Sequence, residues 1–221
     1  MSQAHYLKVE KTTRYYLSGP LEGDYKSVCF ALHGYGQLAP DFIRPFTDKR
    51  LSSILFIAPE APHRFYLNGT GGRVGASWMT KEDRLRDIED YCHYLDSLYQ
   101  YLNPHLKKIE SLGVLGFSQG VATACRWLSY SNISFDFLIN YAGIYPPDLP
   151  QQEAMEKMQK IPVRLLLGDE DEYITETKLH QALQEFKCQG YPTEARIFAG
   201  RHKIYAPVLQ EVFTEMGFIT K

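Results

Sequence analysis

The chain contains 221 residues, with 24 Lys and Arg against 26 Asp and Glu, which gives a formal net charge of −2. This near balance excludes the strongly basic surface of a nucleic-acid-binding protein and the polybasic segment of an electrostatic membrane anchor. Hydrophobic residues make up 44% of the chain and charged residues 23%, a composition that favours a packed core over intrinsic disorder. The length suits one α/β domain covering residues 1–221.

Short apolar runs, separated by longer helical segments, follow one another along the chain. Residues 6–17 alternate irregularly and predict an edge hairpin. Beyond them, the runs of strand length are apolar on both faces, which is typical of parallel strands covered by helices. These predicted strands are residues 27–32, 53–58, 112–117, 135–142, 163–167 and 194–198.

The longest helical pattern begins near Thr80, which together with Asp83 resembles a capping box. Apolar side chains then recur at spacings of three and four, and Pro104 ends the helix. This predicted buried stripe consists of Leu85, Ile88, Cys92, Leu95, Tyr99 and Leu102. Further helices are predicted over residues 119–128, 175–186 and 205–216.

Strands that alternate with helices predict a doubly wound, mostly parallel sheet flanked by helices. Two stretches, residues 59–79 and 143–152, are rich in Gly, Pro or aromatic residues and are predicted to be irregular. Long loops in a compact domain are often functional, so both are candidates for the walls of a site.

The strongest chemical signal is Gly116-Phe117-Ser118-Gln119-Gly120, a GxSxG motif between a predicted strand and a predicted helix. A nucleophile on a sharp strand-to-helix turn needs small neighbours, because the backbone is strained and crowded there. The free N–H groups at the start of the helix would also face the serine. The pattern therefore predicts a nucleophilic serine; the alternative is an ordinary N-cap serine between glycines.

A serine hydroxyl needs a base, and that base needs an orienting group. His202 follows the last predicted strand, and the preceding strand leads into a run of acids, so both groups would meet at one sheet edge. His63, in a long loop, is a weaker alternative base. Asp169, Glu170 and Asp171 all compete for the acid's role, and Asp171 is favoured because Asp169, directly after Gly168, could instead hydrogen-bond the backbone of its own turn.

Acyl transfer through a serine also needs two N–H donors for the developing oxyanion. The N–H of Gln119 supplies one candidate, because it follows the nucleophile directly. The second is expected in the loop His33-Gly34-Tyr35-Gly36, where the His33 side chain would stabilise the loop. The alternative for this loop is a plain Gly-rich turn.

The cysteines give no sign of a metal or redox site. Cys29, Cys92, Cys125 and Cys188 lie far apart, without a CxxC pair or zinc-like spacing. No signal peptide pattern or membrane-spanning run is recognised. We therefore expect a cytoplasmic protein without a stable membrane anchor, without a nucleic-acid partner and without a metal or organic cofactor.

At these motifs the chain resembles the phospholipase/carboxylesterase family of the α/β-hydrolase superfamily, which includes the acyl-protein thioesterases. The GFSQG form at residues 116–120 is more specific than GxSxG alone. The resemblance implies an α/β-hydrolase fold, with Ser118 as nucleophile, His202 as base and Asp171 as orienting acid. It also implies that the N–H groups of Tyr35 and Gln119 form the oxyanion hole.

Two segments depart from the family pattern. The family commonly has Val-Pro shortly after the acid, where this chain has Glu172-Tyr173-Ile174-Thr175, and residues 73–79 lack the usual run before the helix. The reaction type therefore carries over better than the thioesterase substrate. Residues 142–161 are too few for a large cap domain, which predicts an accessible site for small acyl esters. Its candidate acyl-pocket walls are Tyr35, Phe65, Tyr66, Trp78 and Tyr145.

The sequence thus predicts a serine hydrolase that cleaves carboxylic esters, or thioesters, of short-to-medium acyl chains. An acyltransferase or peptidase could use the same triad, and a hydrolase-fold protein could bind a small molecule without turnover. A small-molecule acyl ester is the expected partner, and a homodimer is left open.

Overall fold

A computed structural model describes residues 3–106, 109–149 and 151–219. Its strands are β1 (Tyr15–Leu17), β2 (Ser27–Leu32), β3 (Ile54–Pro59), β4 (His63–Asn68), β5 (Gly71–Ser77), β6 (Ser111–Phe117), β7 (Phe137–Tyr141), β8 (Val163–Gly168) and β9 (Thr193–Phe198). Its helices are α1 (Ala39–Phe42), α2 (Arg84–Leu102), α3 (Gln119–Tyr130), α4 (Gln151–Met158), α5 (Glu176–Cys188) and α6 (Ala206–Glu215). Short 3₁₀ turns lie at Arg44–Thr47, Lys49–Leu51 and Asn103–His105.

A seven-stranded sheet in the order β1-β3-β2-β6-β7-β8-β9 forms the centre of the molecule. Every pair in it is parallel except β1 with β3. One apolar cluster packs between the sheet and helices α2, α3 and α5, and a second lies against α1 and α6 on the opposite face. The predicted doubly wound sheet is confirmed, because strands such as β2, β3 and β6 are buried along their whole length.

The parallel arrangement brings the carboxyl ends of β2, β6, β8 and β9 to one edge of the sheet. The loops that follow these strands carry the predicted functional residues, so the topology alone collects them there. Between β7 and β8 the described residues hold only the short helix α4, and no large cap is evident there.

Two local predictions about strands are wrong. Residues 59–79 are not irregular, because β4 and β5 form a separate antiparallel hairpin. The predicted N-terminal hairpin is reduced to β1, whose partner is β3. In residues 59–79, glycines and exposed polar residues obscure the alternation of apolar and polar residues that is typical of half-buried strands. Polar residues have the same effect in residues 6–17.

The start of α2 also differs from the prediction. The helix begins at Arg84, with Asp83 in the left-handed region at φ 48°, so the predicted capping box does not form. Thr80 instead accepts a hydrogen bond from Glu82 N–H at 3.2 Å. Of the predicted stripe, Leu85 is 70% exposed and Tyr99 is only partly buried. The buried face of α2 consists of Ile88, Tyr91, Cys92, Leu95, Leu98 and Leu102. None of the helices in the described residues has the length and apolar character needed to cross a membrane.

Candidate active site

Ser118 lies on a strained turn between β6 and α3. Its backbone has φ 54° and ψ −116°, a conformation that residues other than glycine rarely adopt. The neighbouring glycines permit this turn, because a Cβ on Gly120 would lie 2.1 Å from the carbonyl oxygen of Leu32, and one on Gly116 would lie 2.4 Å from the oxygen of Gly120. The turn therefore lifts the Ser118 side chain out at the sheet edge, where it is partly exposed.

His202 and Asp171 lie in the loops after β9 and β8 and contact each other directly. The His202 Nδ1–H donates to Asp171 Oδ2 at 2.7 Å. The other carboxylate oxygen, Oδ1, accepts the backbone N–H groups of Tyr173 and Ile174, each at 2.9 Å. The Asp171 side chain is fully buried and that of His202 is 12% exposed. Three hydrogen bonds thus hold the carboxylate against the imidazole.

The other acids of this loop have different partners. Asp169 Oδ1 accepts the backbone N–H of Gly200 at 2.9 Å, which ties the ends of β8 and β9 together. Glu170 forms an exposed ion pair with Arg201 at 3.2 Å. The alternative base, His63, pairs instead with Asp87 near the start of α2 at 3.2 Å. Of the three acids in residues 169–171, only Asp171 hydrogen-bonds the imidazole of the last loop.

The Phe117 ring connects the imidazole to the serine turn. Phe117 directly precedes Ser118, and the centroid of its ring lies 4.8 Å from that of His202. No hydrogen bond joins Ser118 Oγ to the imidazole in the part of the chain that the structure describes. Such a contact often tightens only when the substrate is bound.

The loop after β2 lies against the serine. A Cβ on Gly34 would be only 3.1 Å from that of Ser118, so the backbone of this loop passes close to the nucleophile candidate. Within residues 3–106, 109–149 and 151–219, no acceptor receives the N–H of Tyr35 or the N–H of Gln119. Two unpaired N–H groups at this edge are a suitable arrangement for an oxyanion.

The β4–β5 hairpin supports the loop after β2 from one side. Gly36 N–H donates to the backbone oxygen of Ala76 at 2.9 Å, and Ala76 N–H donates to the backbone oxygen of Gln37 at 3.1 Å. The Gln37 side chain also accepts the N–H of Gly34 at 2.8 Å. These hydrogen bonds hold the loop backbone in place, because the hairpin pairs with it as an additional strand would.

His33 stabilises the same loop from inside. Its Nδ1–H donates to the Gly34 oxygen at 2.8 Å, and its Nε2 accepts the N–H of Ala61 at 3.0 Å. Burial lowers the pKa of His33 to about 4, although the Gly34 carbonyl and the charge of Glu60 oppose this shift. His33 is therefore a neutral structural imidazole at pH 7.

The Gln119 side chain joins the start of α3 to the end of β5. Its Nε2 donates to Ser77 Oγ and to the Met79 oxygen, both at 3.0 Å, and its Oε1 accepts the N–H of Trp78 at 3.2 Å. Gln119 thus has a positioning function through its side chain, in addition to its free backbone N–H.

The five aromatic residues predicted as pocket walls have different environments. Trp78 is fully buried, and its indole N–H donates to the His33 oxygen at 2.9 Å, so it supports the loop from the core side. Tyr145 packs against the Phe186 ring at 4.8 Å, on α5. Phe65 and Tyr66 lie on the exposed hairpin strand β4, and Tyr66 is 49% exposed. Of these five residues, Tyr35, which is 61% exposed, Phe65 and Tyr66 offer accessible aromatic surface.

An ion-pair network beside the site was missed by the sequence reasoning. Asp148, in the loop after β7, binds Arg126 of α3 at 2.8 Å and Arg84 of α2 at 2.6 Å. Burial raises the pKa of Asp148, but hydrogen bonding and charge from Arg126 outweigh this effect and lower it. The signal available in the sequence was an arginine in an otherwise apolar helical segment.

Comparison with solved structures identifies the fold. Acyl-protein thioesterase 2 from Zea mays superposes with a TM-score of 0.71 at 21% identity, over 93% of this chain and 98% of that one. Esterase PE8 superposes with a TM-score of 0.70 at 23% identity, over 93% of this chain and 99% of that one. A carboxylesterase from Mesorhizobium loti superposes with a TM-score of 0.70 at 14% identity, over 91% of this chain and 94% of that one. At these identities the likeness shows the α/β-hydrolase fold.

Comparison by sequence identifies the family. Among curated proteins, none matches this chain significantly. The profile of the serine hydrolase (FSH1) family matches residues 25–212, a span that runs from just before β2 into α6 and includes Ser118, Asp171 and His202. The chain therefore belongs to the serine hydrolase (FSH1) family.

Proposed function

We propose that this protein is a carboxylesterase with Ser118 as nucleophile, His202 as general base and Asp171 as the acid that orients the imidazole. The observation that carries the proposal is the 2.7 Å hydrogen bond from His202 Nδ1–H to Asp171 Oδ2, at the sheet edge where Ser118 occupies its strained turn. This bond leaves His202 Nε2 free to accept a proton, as the general base of an acyl transfer requires. Membership of a serine hydrolase family supports the same chemistry.

The proposed reaction is a double displacement. Ser118 Oγ attacks the ester carbonyl carbon while its proton passes to His202 Nε2. The bond to the alcohol oxygen then breaks, that oxygen takes the proton from Nε2, and the acyl group remains on Ser118. Water repeats the two steps and releases the acid. The residues of this chain suffice for every proton transfer.

The oxyanion of each tetrahedral intermediate would be held by the N–H groups of Tyr35 and Gln119. Both are free of other acceptors among the described residues, and the Gly34 backbone lies beside Ser118. Each such donor accounts for about 10²- to 10³-fold in turnover in serine hydrolases. The pairing of the loop with β5 keeps Tyr35 N–H in place before the substrate arrives.

We propose acyl chains of short to medium length as substrates. Accessible aromatic surface near the oxyanion loop comes from Tyr35 and from Phe65 on the hairpin, whose ring centroids are 5.1 Å apart. Between β7 and β8 the described residues form only the short helix α4, and no large element there covers the site. A long acyl chain would therefore remain in water. Because one of the structural neighbours is an acyl-protein thioesterase, we propose acyl thioesters as the second class of substrate to test, after carboxylic esters.

The test is a series of p-nitrophenyl esters from acetyl to dodecanoyl, hydrolysed by the wild type and by Ser118→Ala. We expect a maximum at a short or medium chain, and a loss of at least about 10³-fold in kcat for the variant. Thermal unfolding of both proteins controls for misfolding, since alanine fills the same backbone position as serine.

A Ser118→Ala variant that is folded and as active as the wild type would refute Ser118 as the nucleophile. A wild type that hydrolyses no ester, but transfers the acyl group to added amines or alcohols, would indicate an acyltransferase instead. A protein that binds esters without either reaction would be a binder, and the proposal would be wrong.

A further inference from the structure

Tyr173 places an exposed aromatic ring directly against His202. The ring centroids are 4.7 Å apart, and 69% of Tyr173 is exposed to solvent. The buried ring of Phe117 lies 4.8 Å from the same imidazole. His202 is therefore in contact with one ring from the core and with a second ring from the solvent side.

The position of Tyr173 is tied to the site and not to the protein interior. Its backbone N–H donates to Asp171 Oδ1, and the next residue, Ile174, is buried and donates to the same oxygen. The Tyr173 hydroxyl makes no hydrogen bond among the residues that the structure describes. Apart from its contact with the imidazole, the ring has free apolar surface at the mouth of the site.

The proposed chemistry determines which half of a substrate this surface would meet. His202 Nε2 must approach the alcohol oxygen to protonate it, whereas the acyl group stays on Ser118. A group beside the imidazole is therefore near the alcohol half of the ester. Phe65 of the hairpin lies instead next to the oxyanion loop, against Tyr35.

We propose that Tyr173 is a specificity-determining residue that binds the leaving alcohol and favours esters whose alcohol carries a flat apolar group. The inference rests on the proposed function, since it requires His202 to act on the alcohol oxygen. An aromatic pair of this kind contributes a factor of about 3 to 10 in binding. The exposed face of Tyr173 would stack on the alcohol, and its hydroxyl would have no essential role.

The experiment compares benzyl butyrate with methyl butyrate, which share an acyl group and have alcohols of similar basicity. We expect Tyr173→Ala to lower kcat/KM for the benzyl ester about 3- to 10-fold, with less than a twofold change for the methyl ester. Tyr173→Phe keeps the ring and should retain wild-type preference. Tyr101→Ala is the matched control, because Tyr101 is 68% exposed but lies in the last turn of α2.

A second measurement separates alcohol binding from positioning of the imidazole. Labelling of Ser118 by a fluorophosphonate expels fluoride, which has no group for Tyr173 to bind, so the labelling rate of Tyr173→Ala should equal that of the wild type. Equal losses on both esters together with slower labelling would overturn the inference and leave the proposed function intact. Persistence of benzyl ester hydrolysis in Ser118→Ala would instead refute the proposed function itself.

Discussion

Asp169 and Asp171 are separated by one residue and carry the same side chain, yet their oxygens meet different donors. Asp169 accepts a backbone N–H across the ends of β8 and β9. Asp171 accepts two backbone N–H groups on one oxygen and the imidazole on the other. Because donors to both oxygens fix its orientation, Asp171 is suited to hold His202 in one tautomer.

At the residue scale we predict that Asp171→Asn lowers kcat by about 10²- to 10⁴-fold. The asparagine oxygen can keep the bonds to Tyr173 and Ile174, but its NH₂ would face Nδ1 and favour the wrong imidazole tautomer. Steady-state kinetics on the best p-nitrophenyl ester measures this effect.

Asp169→Asn is the matched control. We expect it to retain kcat within a few-fold and to lower the free energy of unfolding by about 1 kcal/mol, because it weakens one hydrogen bond to a backbone N–H. A larger loss of kcat in Asp169→Asn than in Asp171→Asn would reverse the assignment of the acid.

At the scale of elements, Asp148 connects helices α2 and α3 to the loop after β7. The Arg126 side chain is only 6% exposed and that of Asp148 is 28% exposed, so the pair is largely removed from water. Gly143 belongs to the same loop, and a Cβ there would lie 2.6 Å from the backbone carbonyl oxygen of Ser118. The ion pair therefore anchors a loop whose first residues pack directly on the serine turn.

We predict that Asp148→Ala lowers the free energy of unfolding by about 3 kcal/mol, because it leaves the buried Arg126 charge without its carboxylate. Urea denaturation at pH 7 measures the change. Glu211→Ala is the control, since Glu211 is 68% exposed in its pair with Arg196 and should contribute less than about 1 kcal/mol. Equal effects of the two substitutions would mean that the Asp148 pair is not effectively buried.

At the scale of the whole molecule, buried polar groups make stability depend on pH. His33 is fully buried and neutral, and burial lowers its pKa from 6.5 to about 4. Between these two values the unfolded chain binds a proton at His33 that the folded protein does not. Its contribution to stability is therefore present above pH 6.5 and is lost as the pH falls toward 4.

We expect His33 alone to lower the free energy of unfolding by about 2 kcal/mol between pH 7 and pH 5. Urea denaturation at several pH values, compared with His33→Gln, isolates this contribution, because glutamine can accept the Ala61 N–H without titrating. The variant should be less stable at pH 7 and should show a weaker dependence on pH. Parallel pH profiles for the two proteins would contradict a buried neutral His33.

Much of the fold follows from local patterns in the chain. The doubly apolar runs predict the parallel strands within one or two residues at most of their ends, as at Ser27–Leu32, because burial on both faces selects such sequences. The GxSxG motif also predicts the turn at Ser118, since only glycine fits where a backbone oxygen lies about 2 Å from a Cβ position. Periodicity and steric exclusion are properties of a few neighbouring residues, so the sequence alone determines them.

Other features depend on contacts between distant residues, and only the tertiary structure decided them. The pairing of β5 with the loop after β2 turns residues that look irregular into a hairpin. Trp78 resembles a pocket wall in the sequence but is buried behind His33. That the His202 imidazole hydrogen-bonds Asp171 and not Asp169, and that Tyr173 contacts His202, depend on how the ends of β8 and β9 meet. These outcomes are set by packing across the sheet edge, which no local pattern encodes.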